Sequence, residues 1–261
     1  MAKFKLNAES KAWIAYDAGN SAFATTIVAA FFPIFYKEFW SSGVDSLVSA
    51  SYYSWTLTFS NLALLFTAPI IGSITDLSRT TKRLFTGFTL ISIICVALLF
   101  TLELGAWFQA LIFFGIANYC FSGGNILYDK MLVQIAPQSQ LTRISSLGFA
   151  FGYLGGGVLF LFNAIMTLYP ESFGLSGASE AIRWSFIMVS IWWGFFLIPL
   201  VLHYKDRGSA LYQKSLINES SKQVFITLKN ISEHKNAFLF LLAFFLYCLL
   251  YTSDAADERN S

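Results

Sequence analysis

Polar positions interrupt the first long apolar run of this chain at helical spacing. In residues 12–36, AWIAYDAGNSAFATTIVAAFFPIFY, Asp17, Asn20, Ser21, Thr25 and Thr26 stand among hydrophobic neighbours. At 100° per residue, Asp17, Asn20, Ser21 and Thr25 fall within one arc, while Phe23 and Ile27 fall off it. The pattern predicts a helix with a single polar face. Further apolar runs follow at roughly 46–75, 84–104, 106–128, 144–169 and 184–202. Each is close to the about 20 residues a helix needs to cross a bilayer. Six spans are therefore predicted, and a seventh run opens near Asn236. An unpaired polar group in hydrocarbon costs several kcal/mol. The polar face of the first span should accordingly look into the bundle or an aqueous cavity.

Composition supports the same class. The chain is 56% hydrophobic and 12% charged, with 28 Phe. Soluble domains carry about 25% charged residues. The expected fold is an all-α integral membrane protein. The first ten residues are polar, and the run after them is too long for the core of a cleavable leader. A net charge of +2 points to no nucleic-acid partner. The distribution of charge is more telling. Lys3, Lys5, Lys11, Arg79, Lys82, Arg83, Lys130, Arg143, Lys205, Arg207, Lys214, Lys222, Lys229 and Lys235 fall on one side of the six spans. Only Lys37 and Arg183 fall in the opposite loops. An excess of Lys and Arg marks the cytoplasmic side, so the amino terminus is expected inside, in the cytoplasmic membrane of a bacterium. Cys95 and Cys120 read as small core residues. His203 and His234 are too far apart to suggest a metal pair, and no metal or cofactor is expected. No paired acids, His cluster or nucleophile with a base stands within the spans, so an enzyme is not expected.

Three further stretches carry placed residues. The loop GSITDLSRTTKR, residues 72–83, holds Gly72 for close helix packing, Asp76 as an acceptor or ion-pair partner, and Arg79, Lys82 and Arg83 on the cytoplasmic face. The fifth span, SSLGFAFGYLGGGVLF, repeats Gly148, Gly152 and Gly156 every four residues, with Gly155 beside them. Such a stripe lets a neighbouring backbone approach closely, either as static packing or as a sliding contact. The fourth span ends YCFSGGNILYDK, where Gly123, Gly124 and Asn125 are expected to loosen the helix and Asp129 to lie at the interface. Asp17 keeps two readings. An ionisable residue inside a span is a candidate functional group, and Tyr16, Asp17, Asn20, Ser21 and Thr25 are the candidates for a substrate pathway. Alternatively, Asp17 pairs with Arg143 or Lys130 and locks helices together, with Asn20, Ser21 and Thr25 as interhelical glue.

The expected organisation is a six-helix bundle over 1–202, a cytoplasmic connector over 203–235 and the start of a seventh span over 236–247. The connector reads mostly as a solvated linker, with KQVFITLKNI as a candidate surface helix. The string CLLYTSDAADE, residues 248–258, resembles a translated sequencing adapter. Residues 248–261 are set aside on that ground, and the chain is expected to be a fragment of a longer protein.

YDAGNSAFATTI in the first span, SSLGFAFGYLGGG in the fifth and FLLAFFLY opening the seventh together resemble the major facilitator superfamily, in particular its autophagy-related vacuolar effluxer branch and the bacterial relatives of that branch. The resemblance implies the amino-terminal half of a transporter, built as two inverted three-helix repeats, with a carboxy-terminal half completing a midplane site by alternating access. It implies a small solute as partner, amino acids among the candidates, and a gate role for Gly72, Asp76, Arg79, Lys82, Arg83 and Arg143. Leu77 and Arg79 depart from the basic residue and second glycine of the family loop. The fourth span lacks the buried Arg of many proton-coupled members, and the fifth lacks the Pro of the antiporter glycine motif. A scaffold or receptor that moves no solute is the alternative.

Overall fold

In a computed structural model, the described residues are 6–207 together with Leu239 and Ala243. The chain divides into two compact units, Met1–Leu211 and Tyr212–Ser261, and the first holds the helices described here. The predicted surface helix, most of the connector, the seventh span apart from Leu239 and Ala243, and the adapter-like tail lie outside the described residues. Among the described residues, six helices are long and apolar enough to cross a membrane: α1 (Ala8–Trp40), α2 (Ser46–Leu77), α3 (Thr81–Leu99), α4 (Trp107–Ile135), α5 (Leu141–Leu168) and α6 (Ala178–His203). No strand occurs among the described residues.

Local sequence sets the helix ends. Asn7 caps α1 by accepting the Ser10 N–H at 2.7 Å, and Asp45 caps α2 by accepting the Leu47 and Val48 N–H groups. Both satisfy first-turn donors that have no partner within the helix. Ala136 is extended ahead of Pro137 and stops α4, as the residue before proline disfavours the helical region. Most helices run a few residues past the apolar runs, because their polar ends continue beyond the hydrocarbon layer. The exception is α3, which stops at Leu99, before the predicted limit of 104. Gly105, with φ +84°, turns the chain there, a conformation open to glycine and costly for other residues. The helix is unbroken through Gly123, Gly124 and Asn125, so the loosening expected there is absent. Those glycines instead seat α3: a Cβ on Gly123 would stand 3.4 Å from the Phe88 ring.

Packing centres on α1 and α4. α1 lies against α5 and α6, α4 against α3 and α2, and α3 against α6. Exchanging α1 with α4, α2 with α5, and α3 with α6 carries α1–α5 onto α4–α2, α1–α6 onto α4–α3, and α3–α6 onto itself, the relation expected of two three-helix repeats. α1 is consequently buried around most of its circumference. Phe23 and Ile27, off the polar arc, are fully buried, more so than Ser21 and Thr25 on it, which are half-buried.

The regular helix of α1 ends at Ala22. Over Phe23–Phe31 and again over Tyr36–Trp40 the turns widen to i→i+5 bonding. Phe32 N–H reaches Ile27 O, and Ser41 N–H reaches Tyr36 O at 2.8 Å. Wide turns of this kind are rare and occur often at functional sites. They reset which side chains share a face.

Candidate functional site

The polar face of α1 is turned inward, against the glycine stripe of α5. Asp17 is 8% exposed and Asn20 7% exposed. A Cβ placed on Gly152 would lie 2.5 Å from Ser21 Oγ and 2.9 Å from Asp17 Oδ2. One on Gly155 would lie 2.3 Å from Ala18 Cβ, and one on Gly156 would lie 3.1 Å from the Ser21 carbonyl carbon. Gly148 sits under the Trp13 ring, 2.6 Å from its nearest atom by the same measure. The missing side chains of α5 thus make the space that Trp13, Asp17, Ala18 and Ser21 occupy. On the other side, Gly19 admits α6, since a Cβ there would stand 2.9 Å from Phe196 Cβ. Gly19 does not stand out by spacing. Its signal in the sequence is the small pair Ala18–Gly19 between two polar residues.

A hydrogen-bonded chain starts at Asn20, three residues from Asp17. The Tyr16 hydroxyl donates to Asn20 Oδ1 at 3.4 Å. The same hydroxyl lies 3.3 Å from Thr89 Oγ1 of α3 and accepts the Trp193 Nε1–H of α6 at 3.1 Å. Tyr16 therefore faces α3 and α6 and ties them to α1. Of the five pathway candidates, Asp17 and Ser21 meet the glycine face of α5. Thr25 lies in the widened turns and returns its hydroxyl to the Ser21 carbonyl at 2.9 Å.

Trp13 fixes α1 to α4. Its Nε1–H donates to the Tyr128 carbonyl at 2.9 Å, and the Tyr128 hydroxyl donates to the Trp13 carbonyl at 2.9 Å. The two rings stack at 4.3 Å with an interplanar angle of 3°. Trp192 adds a bond from its indole to the Ala18 carbonyl at 3.1 Å. The interface between α2 and α4 is polar as well. Asn118 donates to Ser60 Oγ at 3.2 Å, and Tyr119 donates to Thr67 Oγ1 at 2.9 Å. Sequence reasoning misses these residues because single Ser, Thr and Asn residues inside apolar runs carry no periodic signal.

The loop residues divide. Lys130 bonds Thr75 Oγ1 at 2.8 Å and pairs with the Asp76 carboxylate, so it goes to α2 and not to Asp17. Arg79, Arg83 and Arg143 are exposed. A Cβ on Gly72 would meet nothing within 4 Å, and the close packing expected there is absent among the described residues. Asp206 accepts the Lys82 N–H at 2.9 Å and so caps α3 from beyond α6. Arg207 joins the Gln134 carbonyl and the Glu9 carboxylate, and the Tyr204 hydroxyl bonds Gln134. Tyr204 is 1% exposed. The connector therefore does not begin at 203: His203 ends α6, and Tyr204–Arg207 belong to the bundle. Their signal is YKDR, mixed charges directly after a span. No group of three or more His, Cys, Asp or Glu residues suited to a metal occurs among the described residues.

Asn163 of α5 is fully buried, and both ends of its amide lack a hydrogen-bond partner. It lies on the Gly148–Gly152–Gly156 face, two turns beyond Gly156. A buried amide without partners costs about 1–3 kcal/mol, a penalty set against the close packing around it.

Comparison with known proteins agrees with this architecture. The family described as vacuole effluxer Atg22 like matches residues 133–253, from the end of α4 past the start of the adapter-like string. An uncharacterized MFS-type transporter, YxiO, of Bacillus subtilis (strain 168) is 31% identical over 241 residues, which is 92% of this chain and 56% of that protein. An uncharacterized protein of Aquifex aeolicus (strain VF5) is 26% identical over 172 residues, 65% of this chain and 42% of its own length. The chain spans about half the length of these curated relatives. No solved structure matches it. With six apolar helices among the described residues, the paired packing of α1 with α5 and α4 with α2, and similarity along nearly its whole length to an MFS-type transporter, the chain is a multi-pass membrane protein similar to the MFS-type transporters and, over residues 133–253, to the Atg22-like family.

Proposed function

We propose that the chain forms the first six-helix wall of an MFS-type transporter, which moves a small solute by alternating access with a second half. The observation that carries the reading is the buried Asp17 carboxylate, set against Gly152 beside Ser21, which reaches on to Gly156. Intramembrane carboxylates are costly and tend to mark substrate or proton pathways. Here the carboxylate lies between the central helix and the glycine stripe, the place where two helices can slide. Rocking of α5 against α1 would uncover Asp17 toward the cavity, and the Asn20–Tyr16 chain would report that movement to α3 and α6. The amino terminus faces the cytoplasm in this reading, on the excess of Lys and Arg at that side. Amino acids are the first solutes to test, because their ammonium group complements a carboxylate. The six helices alone provide one wall of the site, and the fragment is expected to move nothing as a monomer.

The test is solute flux in proteoliposomes holding the full-length protein, screened over amino acids. Asp17→Asn is expected to lower flux at least tenfold while thermal stability is retained, since the amide keeps the shape and removes the charge. Unchanged flux in a folded variant would reduce Asp17 to a packing residue. An absence of flux for every solute in the intact protein would overturn the transporter reading itself.

A further inference from the structure

At the amino-terminal end of α3 a cavity of about 500 Å³ is lined by Lys82, Arg83, Thr86, Gly87, Leu90 and Asp206. Its chemistry is graded along the helix axis. Two cations stand at the mouth with one carboxylate, for a local charge of +1. The carboxylate is already engaged, since Asp206 accepts the Lys82 N–H at 2.9 Å. One turn deeper, a Cβ on Gly87 would meet nothing within 4 Å, so the groove floor is open there. The buried Thr86 hydroxyl has no hydrogen-bond partner, and a χ1 rotation can present it to a ligand without breaking an existing bond. From Leu90 at the cavity's inner end, Ile94 and Leu98 continue the Arg83–Gly87 face as exposed apolar side chains. Steps of three and four residues keep them in one row.

We propose that this cavity binds one anionic glycerophospholipid. Its phosphodiester sits on Lys82 and Arg83, and an acyl chain lies over Gly87 and Leu90 along the α3 row. The net charge of +1 complements a headgroup of charge −1 better than a zwitterionic one. Basic pockets at the cytoplasmic ends of spanning helices bind anionic headgroups by this chemistry. The open floor at Gly87 separates a built site from a merely basic loop. A loop attracts the membrane surface without regard to the helix face below it, whereas a groove requires that face to stay clear.

Native mass spectrometry of the detergent-purified chain, titrated with phosphatidylglycerol, phosphatidylcholine or glycerol 3-phosphate, tests the site. Phosphatidylglycerol is expected to bind at least tenfold more tightly than phosphatidylcholine. Lys82→Gln with Arg83→Gln should weaken it by roughly fivefold per charge removed. Gly87→Leu, which alters no charge and enters open space, should weaken it by a similar factor, and Leu90→Gln provides a second probe of the acyl track. Glycerol 3-phosphate should bind far more weakly than the lipid. Equal binding of the two lipids would overturn the proposal, as would an unchanged affinity in the charge variants. Loss in the charge variants with no loss in Gly87→Leu and Leu90→Gln would mean a surface charge effect and no groove. Equal affinity for glycerol 3-phosphate would mean a free-phosphate site.

Discussion

Gly155→Leu is expected to abolish the folded bundle, and Gly155→Ala to destabilise it by about 1–3 kcal/mol or somewhat more. The cause is distance. An added Cβ would stand 2.3 Å from Ala18 Cβ and 2.8 Å from Ala18 Cα, and backbone cannot swing aside as a side-chain tip can. α1 and α5 would have to separate, loosening the packing at Gly152 and Gly156 as well. Ala18→Gly combined with Gly155→Ala should recover part of the loss, because it removes the nearer atom and leaves only the crowding against the backbone of residue 18. Gly157 is the control. It lies two residues on and has nothing within 4 Å, so Gly157→Ala should be neutral or add up to about 1 kcal/mol through helix propensity. Unfolding of the purified chain in an SDS titration, followed by helical circular dichroism, gives all four values. Equal effects at 155 and 157 would remove the stripe from the account.

Trp13→Ala is expected to cost about 3–5 kcal/mol, the range for losing a large buried aromatic side chain. Trp13 is 3% exposed, stacks on Tyr128 and exchanges two hydrogen bonds with it through the backbone carbonyls. Hydrophobic transfer contributes little between helices already in lipid, so the loss is one of packing and hydrogen bonding. Tyr128→Phe removes one donor and keeps the stack, and should cost about 0.6–2 kcal/mol. The two sites touch, so a double-mutant cycle should be clearly non-additive. Trp13 lies one turn before Asp17, and loosening it should also raise the labelling of Asp17 by a hydrophobic carbodiimide. The same SDS titration measures the stabilities. A loss in Trp13→Ala no larger than in Tyr128→Phe would contradict the lock.

The six helices are legible because each needs an apolar run of a set length, and lipid enforces that length. The inward polar arc of Asp17, Asn20 and Ser21 is legible because a regular helix has a fixed angular step, and α1 is regular through Ala22. Thr25 lies beyond that regular stretch. It sits in turns of i→i+5 bonding, which tertiary packing imposes and no local pattern announces. The glycine stripe reveals itself by its repeat, but not its partner, since nothing in α5 names Trp13 or Ala18. Tyr16 illustrates a further limit. Its neighbour Asp17 suggests a shared pathway, while the structure turns its hydroxyl toward Thr89 and Trp193. The segment after α6 reads as solvated because it is charged, yet its charges are spent on helix ends: Asp206 on α3, and Arg207 on Glu9 and Gln134.

The account rests on α1 presenting its polar face to the small face of α5, and a cross-link measures that directly. Ser21 Cβ lies 3.2 Å from a Cβ built on Gly156, a few tenths of an ångström inside the roughly 3.5–4.5 Å span of disulfides. With Cys95, Cys120 and Cys248 replaced by Ala and a protease site in the turn between α1 and α2, the pair Ser21→Cys and Gly156→Cys can be oxidised in native membranes. The cleaved fragments should then stay joined until reduced, and the pair Ser21→Cys with Gly157→Cys should fall apart. Fragments that separate in the first pair, or remain joined only in the second, would place the polar face of α1 elsewhere and contradict the account.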